Sequence, residues 1–269
     1  MMTPVAPELS AALRALKLGH LAHTLPERVA LGSAQSMPFE ELLLLVLTDE
    51  ILRREGRAST ERAKRARLDS EMTLERFDKT AKITYDKRLF AELCSLRFLQ
   101  AHKNVVVLGP VGVGKTFLAN ALGQLACTHK YPTRFVRADD MLRTLKQSRL
   151  DNSRDAEILA LATVELLIID DFALEPMTRE ESRDIYQLFV ERTGRASTII
   201  TSNRDTSEWI STFDDVLLAQ SAIDRFKNAA YDFVIEGESY RPRLKPALDP
   251  QSPPPEQPVP KTKPRPRRR

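Results

Sequence analysis

Residues 105–122 read VVVLGPVGVGKTFLANAL, and this stretch decides the fold. The run at 105–108 is apolar and mostly β-branched, as a strand buried on both faces requires. An Ala/Leu-rich segment with helical spacing follows Thr116. The turn between them fits Gly-x-x-x-x-Gly-Lys-[Ser/Thr] as Gly109, Pro110, Val111, Gly112, Val113, Gly114, Lys115 and Thr116, with Phe117 next. Three of the chain's nine glycines fall within six loop positions, 109–114. Glycines let a backbone wrap closely around phosphate with its N–H groups turned inward, and the helix start adds partial positive charge. Lys115 is then placed to neutralise β- and γ-phosphate oxygens, and Thr116 to ligate Mg²⁺. The expected ligand is ATP with Mg²⁺, held by 109–117. A functionless glycine-rich turn is the competing reading, and the strand before and helix after argue against it. The Lys-Thr pair also separates this loop from a dinucleotide fingerprint.

Two further strand ends supply chemistry that fits this loop. Residues 164–174 read VELLIIDDFAL, an apolar strand that ends in Asp170 and Asp171 about 55 residues after the loop. Ligands of open parallel sheets bind at the C-terminal ends of strands. Asp170 is placed there to hold Mg²⁺, directly or through water, and Asp171 to orient or deprotonate the attacking water. By itself the pair reads equally well as solvated acids opening a loop. Residues 197–203 read STIITSN, a strand that ends in Thr201, Ser202 and Asn203. With the loop strand and the acidic strand as neighbours in the sheet, Asn203 reaches the γ-phosphate or the water. Alone it is an ordinary turn-forming Asn.

Working outward, β-rich runs at 105–108, 133–136, 164–169, 198–201 and 231–235 alternate with helical segments such as 116–129 and 180–193. This predicts an α/β fold: a P-loop parallel sheet of about five strands flanked by helices. Before it, residues 1–78 read as a small helical domain. Leu9, Leu13, Leu16 and Leu21 fall roughly on one helix face, and a second helix begins near Pro38 and runs into a basic tract. The ATPase domain is expected over 79–245. Residues 246–269, PALDPQSPPPEQPVPKTKPRPRRR, are too rich in proline for helix or sheet and predict a disordered, partly polyproline-II tail with a basic end.

Composition narrows the class. Apolar residues make 42% of the 269 and charged residues 29%, as in globular chains. The longest apolar run, residues 42–47, is far short of the ~20 needed to span a bilayer. No secretory signal opens the chain. The two cysteines, Cys94 and Cys127, make no metal-ligand spacing and are expected as buried, reduced thiols, so the predicted setting is cytoplasmic. The net charge of +4 is mild, but its placement is not even. Arg53, Arg54, Arg57, Arg62, Lys64, Arg65 and Arg67 face only Glu55 and Glu61 within the same tract, and six cations end the chain. Two such tracts suggest a polyanion partner, with a solvated helix face as the alternative.

Together, GPVGVGKT, LLIIDDF, TIITSN, SAIDRF and GESYR resemble the AAA+ ATPases of the IstB/DnaC group. The leader running through the arginine-rich tract into LDSEMTLERFD resembles that of IstB-like insertion-sequence helper proteins. The resemblance covers about residues 8–243. It implies that Asn203 matches sensor 1, that Arg225 matches the arginine finger reaching a neighbouring subunit's ATP, and that Arg241 matches a sensor 2 arginine. It further implies an ATPase that forms a homo-oligomer, ring or helical, with ATP at subunit interfaces. Such a protein assembles on duplex target DNA and recruits or activates the transposase encoded beside it in the insertion sequence, in DNA recombination. The second acid is Asp171 rather than the Glu usual in the wider superfamily, a difference the narrower group shares. No helical lid is evident after Arg243. A DnaC-like helicase loader is the alternative within this group, and a small-molecule phosphotransferase the alternative outside it. The leader favours the transposition reading over the first, and DD followed by TSN points to water rather than an acceptor hydroxyl.

Overall fold

The computed structural model describes residues 5–78 and 82–240. Arg241 and the tail read at 246–269 lie outside the described residues.

The leader is helical: α1 (Pro7–Ala15), α2 (Leu21–Ala34) and α3 (Phe39–Arg65). The single face expected through Leu9, Leu13, Leu16 and Leu21 is divided between α1 and α2. Lys17 adopts a left-handed φ of 59°, and the Leu18 N–H returns to the Leu13 carbonyl, which closes α1 as a Schellman cap. The αL position is held by lysine rather than glycine, so nothing in the sequence marks the stop. Leu21 is buried, whereas Leu9 and Leu16 are exposed. Beyond α3, a 3₁₀ turn (Leu74–Arg76) leads to β1 (Ile83–Thr84), α4 (Lys87–Cys94) and α5 (Arg97–Gln100).

The core alternates strand and helix. β2 (Asn104–Leu108) leads to α6 (Lys115–Thr128), then β3 (Thr133–Arg137), α7 (Ala138–Ser148), α8 (Arg154–Ala162) and β4 (Leu166–Asp170). α9 (Arg179–Arg192), β5 (Ser197–Ser202), α10 (Val216–Lys227), β6 (Ala230–Val234) and β7 (Glu236–Gly237) follow. Five strands form one parallel sheet in the order β3-β4-β5-β2-β6. The loop strand β2 and the acidic strand β4 are therefore not neighbours: β5 lies between them. This corrects the adjacency assumed from sequence, and it carries Asn203, which follows β5, between the loop and the acids.

Side chains alternate across the sheet, so each strand feeds two cores. Val106, Leu108, Leu167, Ile169 and Ile200 pack with residues of α7 to α10. Val105, Val107, Leu166, Ile168 and Ile199 pack with α4, α5 and α6. Ala63 and Ala66, at the end of the leader, join this second core together with Leu68. The leader is docked further where Arg62 Nε donates to the Cys127 carbonyl at 2.8 Å, which also satisfies an end carbonyl of α6. At the sheet margin the Phe135 N–H of β3 donates to the Ala66 carbonyl at 2.8 Å. Cys127 is buried as expected, but Cys94 is only half-buried, because α4 lies at the surface.

Sequence reading missed the two-stranded antiparallel pair β1·β7. Each strand is two residues long, too short for alternation to register, and the partners lie about 150 residues apart.

Candidate nucleotide-binding site

The loop is built as its glycines require. Gly109, Gly112 and Gly114 all take positive φ, at 152°, 85° and 100°. A Cβ at Gly109 would collide with the Ile235 carbonyl oxygen, and one at Gly112 with the Ser239 hydroxyl. Both glycines therefore serve close backbone approach as well as turn geometry. The segment after β6 lies directly against the loop: the Ile235 N–H donates to the Leu108 carbonyl and the Tyr240 N–H to the Gly112 carbonyl, each at 2.8 Å.

Lys115 opens α6 and is almost fully buried. Its Nζ donates to the carbonyls of Gly109 and Pro110 at 2.8 Å each, and to Asn203 Oδ1. These bonds satisfy a buried ammonium that would otherwise be costly to desolvate, and they hold it inside the loop. Asn203 thus meets the P-loop from the end of β5.

Asp170, at the end of β4, is buried at 4% exposure. Thr116 Oγ1 donates to its Oδ2 at 3.1 Å, and Thr201 Oγ1 to its Oδ1 at 2.6 Å. Among the described residues the carboxylate touches hydroxyls and no guanidinium within hydrogen-bonding reach. Burial pushes its pKa above the ordinary aspartate range; the Thr201 hydrogen bond opposes this, and the charge of Asp171 adds to it. Thr116 and Asp170, two hard oxygen donors side by side, fit Mg²⁺, which takes few protein ligands and completes its octahedron with water and phosphate.

Asp171 is held in a left-handed conformation at φ 56°, uncommon for a non-glycine residue. Its N–H donates to Thr201 Oγ1 at 2.9 Å, and the Phe172 N–H to the Thr201 carbonyl at 2.9 Å. This bend turns Asp171 away from the strand and leaves its side chain about one-third exposed. Arg137, at the end of β3, places its guanidinium 3.6 Å from Asp171 Oδ2. Sequence reading did not single out Arg137, because the strand pairing that sets it opposite Asp170 is non-local.

Arg225 stands exposed near the end of α10 and, among the described residues, makes no ion pair or hydrogen bond through its side chain. Of the expected DNA contacts, Arg53 and Arg54 both bond to buried Glu50, at 2.8 and 2.7 Å. Arg57, Lys64, Arg65 and Arg67 are exposed.

An apolar hollow of about 280 Å³ adjoins the loop, lined by Phe77, Ile83, Val113, Phe117 and Tyr240 among others. Phe77 and Phe117 have ring centroids 5.9 Å apart. Apart from Val113, Gly114 and Phe117, its walls were missed as site residues. The LERFD text that carries Phe77 was visible, but nothing local said that it would fold back onto the loop.

Known proteins match along most of this chain. The IstB-like ATP binding protein family matches residues 11–247. A Mycobacterium tuberculosis protein named as ATP-binding in an insertion sequence is 36% identical over 242 residues, 89% of this chain and 96% of its own. A Pseudomonas aeruginosa protein named as ATP-binding in insertion sequence IS21 is 34% identical, covering 87% and 88%. Among solved structures, DnaI has a TM-score of 0.54 at 22% identity, covering 62% of this chain and 94% of its own. The replication initiator DnaA, solved with AMPPCP and single-stranded DNA, has a TM-score of 0.52 at 21% identity. That match covers 64% of this chain and about half (51%) of DnaA. These two likenesses concern the fold alone, a parallel sheet of five strands flanked by helices. A P-loop facing a buried aspartate in this fold, with relatives matched over nearly their whole length, gives the conclusion that the chain belongs to the IstB-like ATP-binding protein family of insertion sequences.

Proposed function

We propose that this protein is an ATP-hydrolysing transposition helper that assembles on duplex target DNA and recruits or activates the transposase encoded with it. The observation that carries the ATPase part is the 3.1 Å contact from Thr116 Oγ1 to Asp170 Oδ2, because it joins the P-loop helix to the acidic strand at one point. Family membership carries the transposition part.

In this reading the N–H groups of 109–117 cradle the β- and γ-phosphates. Lys115 exchanges its loop carbonyls for phosphate oxygens. Thr116 and Asp170 hold Mg²⁺, which neutralises charge developing on the phosphates when bound. Asp171 orients the attacking water and accepts its proton, while Asn203 steers the γ-phosphate or the same water. The hollow beside Phe77, Phe117 and Tyr240 takes the base. Arg225, with no partner among the described residues of its own chain, reaches the ATP of a neighbouring copy in a homo-oligomer, and Arg241 acts as the second sensor. The helices before residue 78 form the DNA- and partner-binding part, and the chain after residue 79 the ATPase part.

The test is ATPase activity of the full chain with no DNA, with duplex and with single-stranded DNA. Duplex-stimulated phosphate release supports the proposal. Stimulation by single strands alone, with tight binding to a replicative helicase, would replace it with a loader. Appearance of a phosphorylated small-molecule acceptor would replace the ATPase itself.

A further inference from the structure

The seven cations of the leader tract do not share one environment. Arg53 and Arg54 are tied to Glu50, which is buried at 3% exposure and whose pKa is held down to about 2, chiefly by the Arg53 hydrogen bond. They serve the packing of the leader. At the other end of α3 the chain turns under the margin of the sheet, and two connected hollows open beside β3, of about 350 and 290 Å³. Both contain Arg134, Glu157 and Leu161. Arg67 and Arg137 line one, and Arg62, Arg65 and Lys130 the other.

Six cations therefore face two acids, Glu157 and Asp140, and Asp140 is already held by Arg143 at 2.7 Å. Three of the six are engaged: Arg62 with the Cys127 carbonyl, Lys130 with Glu55, and Arg137 with Asp139 and Asp171. Arg65, Arg67 and Arg134 make no side-chain hydrogen bond or ion pair among the described residues. Arg134 is half-buried, and its Nε is shielded from water without a hydrogen-bond partner. Burial, and then the charge of Arg67, push its pKa below the usual arginine range, against the opposing charge of Glu157. A protein does not ordinarily bring two guanidiniums together around an unsatisfied N–H.

Arg67 occupies the αL position of the Schellman cap that ends α3, at φ 62°, with the Leu68 N–H returning to the Ala63 carbonyl, as Lys17 does at the end of α1. Glycine fits that position without strain, so Arg67→Gly removes the cation without straining the backbone.

We propose that this basic groove along β3, centred on Arg65, Arg67 and Arg134, grips the phosphate backbone of duplex DNA. The two hollows form an extended line rather than one cage, which suits a polyanionic strand better than a single free phosphate. Among the described residues Tyr131 and Phe135 are the only aromatic rings along it, so backbone contact without base readout is the expected mode. The proposal rests on the reading that the protein binds DNA. It moves the contact from the whole tract to its far end and adds core residues to it.

The experiment measures binding of a fluorescein-labelled duplex to the full chain with a non-hydrolysable ATP analogue, across a salt series. The combined Arg65→Gln, Arg67→Gly, Arg134→Gln variant is expected to bind at least tenfold more weakly. Its log K against log salt should be shallower by about 0.9 for each phosphate that is no longer neutralised. Arg67→Gly alone should weaken binding while the melting temperature stays equal or rises, which separates contact from folding. Arg195→Gln, exposed beyond α9 and lining neither hollow, should bind as the native chain does. Native affinity and slope in the combined variant would overturn the groove while leaving DNA binding intact. Failure of the native chain to bind duplex would overturn the underlying reading as well. Equal competition by polyglutamate at matched ionic strength would replace DNA with an acidic protein partner.

Discussion

Asp170 and Asp184 are both buried aspartates, and they are kept in opposite ways. Asp184, in α9 and fully buried, takes Arg154 on one oxygen at 2.6 Å and Arg149 on the other at 2.6 Å. Those arginines flank the turn between α7 and α8, so the carboxylate fastens that turn to α9. Among the described residues Asp170 meets two hydroxyls and no guanidinium, and burial pushes its pKa up. A buried carboxylate neutralised by two guanidiniums is complete without a ligand. One supported by hydroxyls alone suits the Mg²⁺ role proposed for Asp170. The contrast separates structural from functional acids more cleanly than burial does, since exposure is nearly the same for both.

The comparison predicts how each centre fails. Lys115→Ala removes the ammonium held inside the loop and should abolish ATP binding or hydrolysis, read as phosphate release and nucleotide affinity. Normal turnover in that variant would end the functional reading of this side of the molecule. Arg225→Ala should lower turnover by ~10³ while nucleotide binding persists. Mixed with the Lys115→Ala protein it should recover part of the activity; no recovery at several ratios would place Arg225 within its own subunit's chemistry.

Asp184→Ala should act on stability instead. It leaves two guanidiniums facing an emptied site, at a cost of about 3 kcal/mol; this is the low end for a broken buried pair, since both arginines are partly exposed. Denaturant titration measures this, and activity per folded molecule should be retained. The smallest effect is expected from Asp170→Asn: a gain on the order of 0.5–1 kcal/mol in metal-free protein, with loss of the Mg²⁺ response. The sign follows from linkage. A carboxyl whose pKa is raised by folding binds its proton more tightly in the native state. Metal-free stability therefore declines as pH rises from the ordinary aspartate range through the raised value, and levels off above it. The Asn variant should flatten that decline. If it leaves the pH profile unchanged, Asp170 does not differ from Asp184 in the way described.

Sequence made most of the sheet legible because each central strand carries its own signal. The five runs read at 105–108, 133–136, 164–169, 198–201 and 231–235 correspond to β2 to β6 within two residues at each end. They are continuous apolar or β-branched segments of the kind that only a two-sided burial explains. The meeting of Thr116 with Asp170 was legible for the same reason, since both sit at ends of strongly marked elements. What could not be read was set by return of distant chain: the order that puts β5 between loop and acids, Arg137 beside Asp171, and Tyr240 against Gly112. Nor does sequence distinguish Arg53 from Arg65, which lie in one helix and one charge tract, yet one meets a buried glutamate and the other lines a hollow.

The bond from the Phe135 N–H to the Ala66 carbonyl has a practical consequence for anyone dividing the molecule. The leader's last turn shields the outer rim of the sheet, and Ala63, Ala66 and Leu68 plug the layer beneath it. A truncation at residue 78 would strip that shield and leave a bare strand rim able to recruit strands from other molecules. A cut made upstream, in the exposed middle of α3, would spare it.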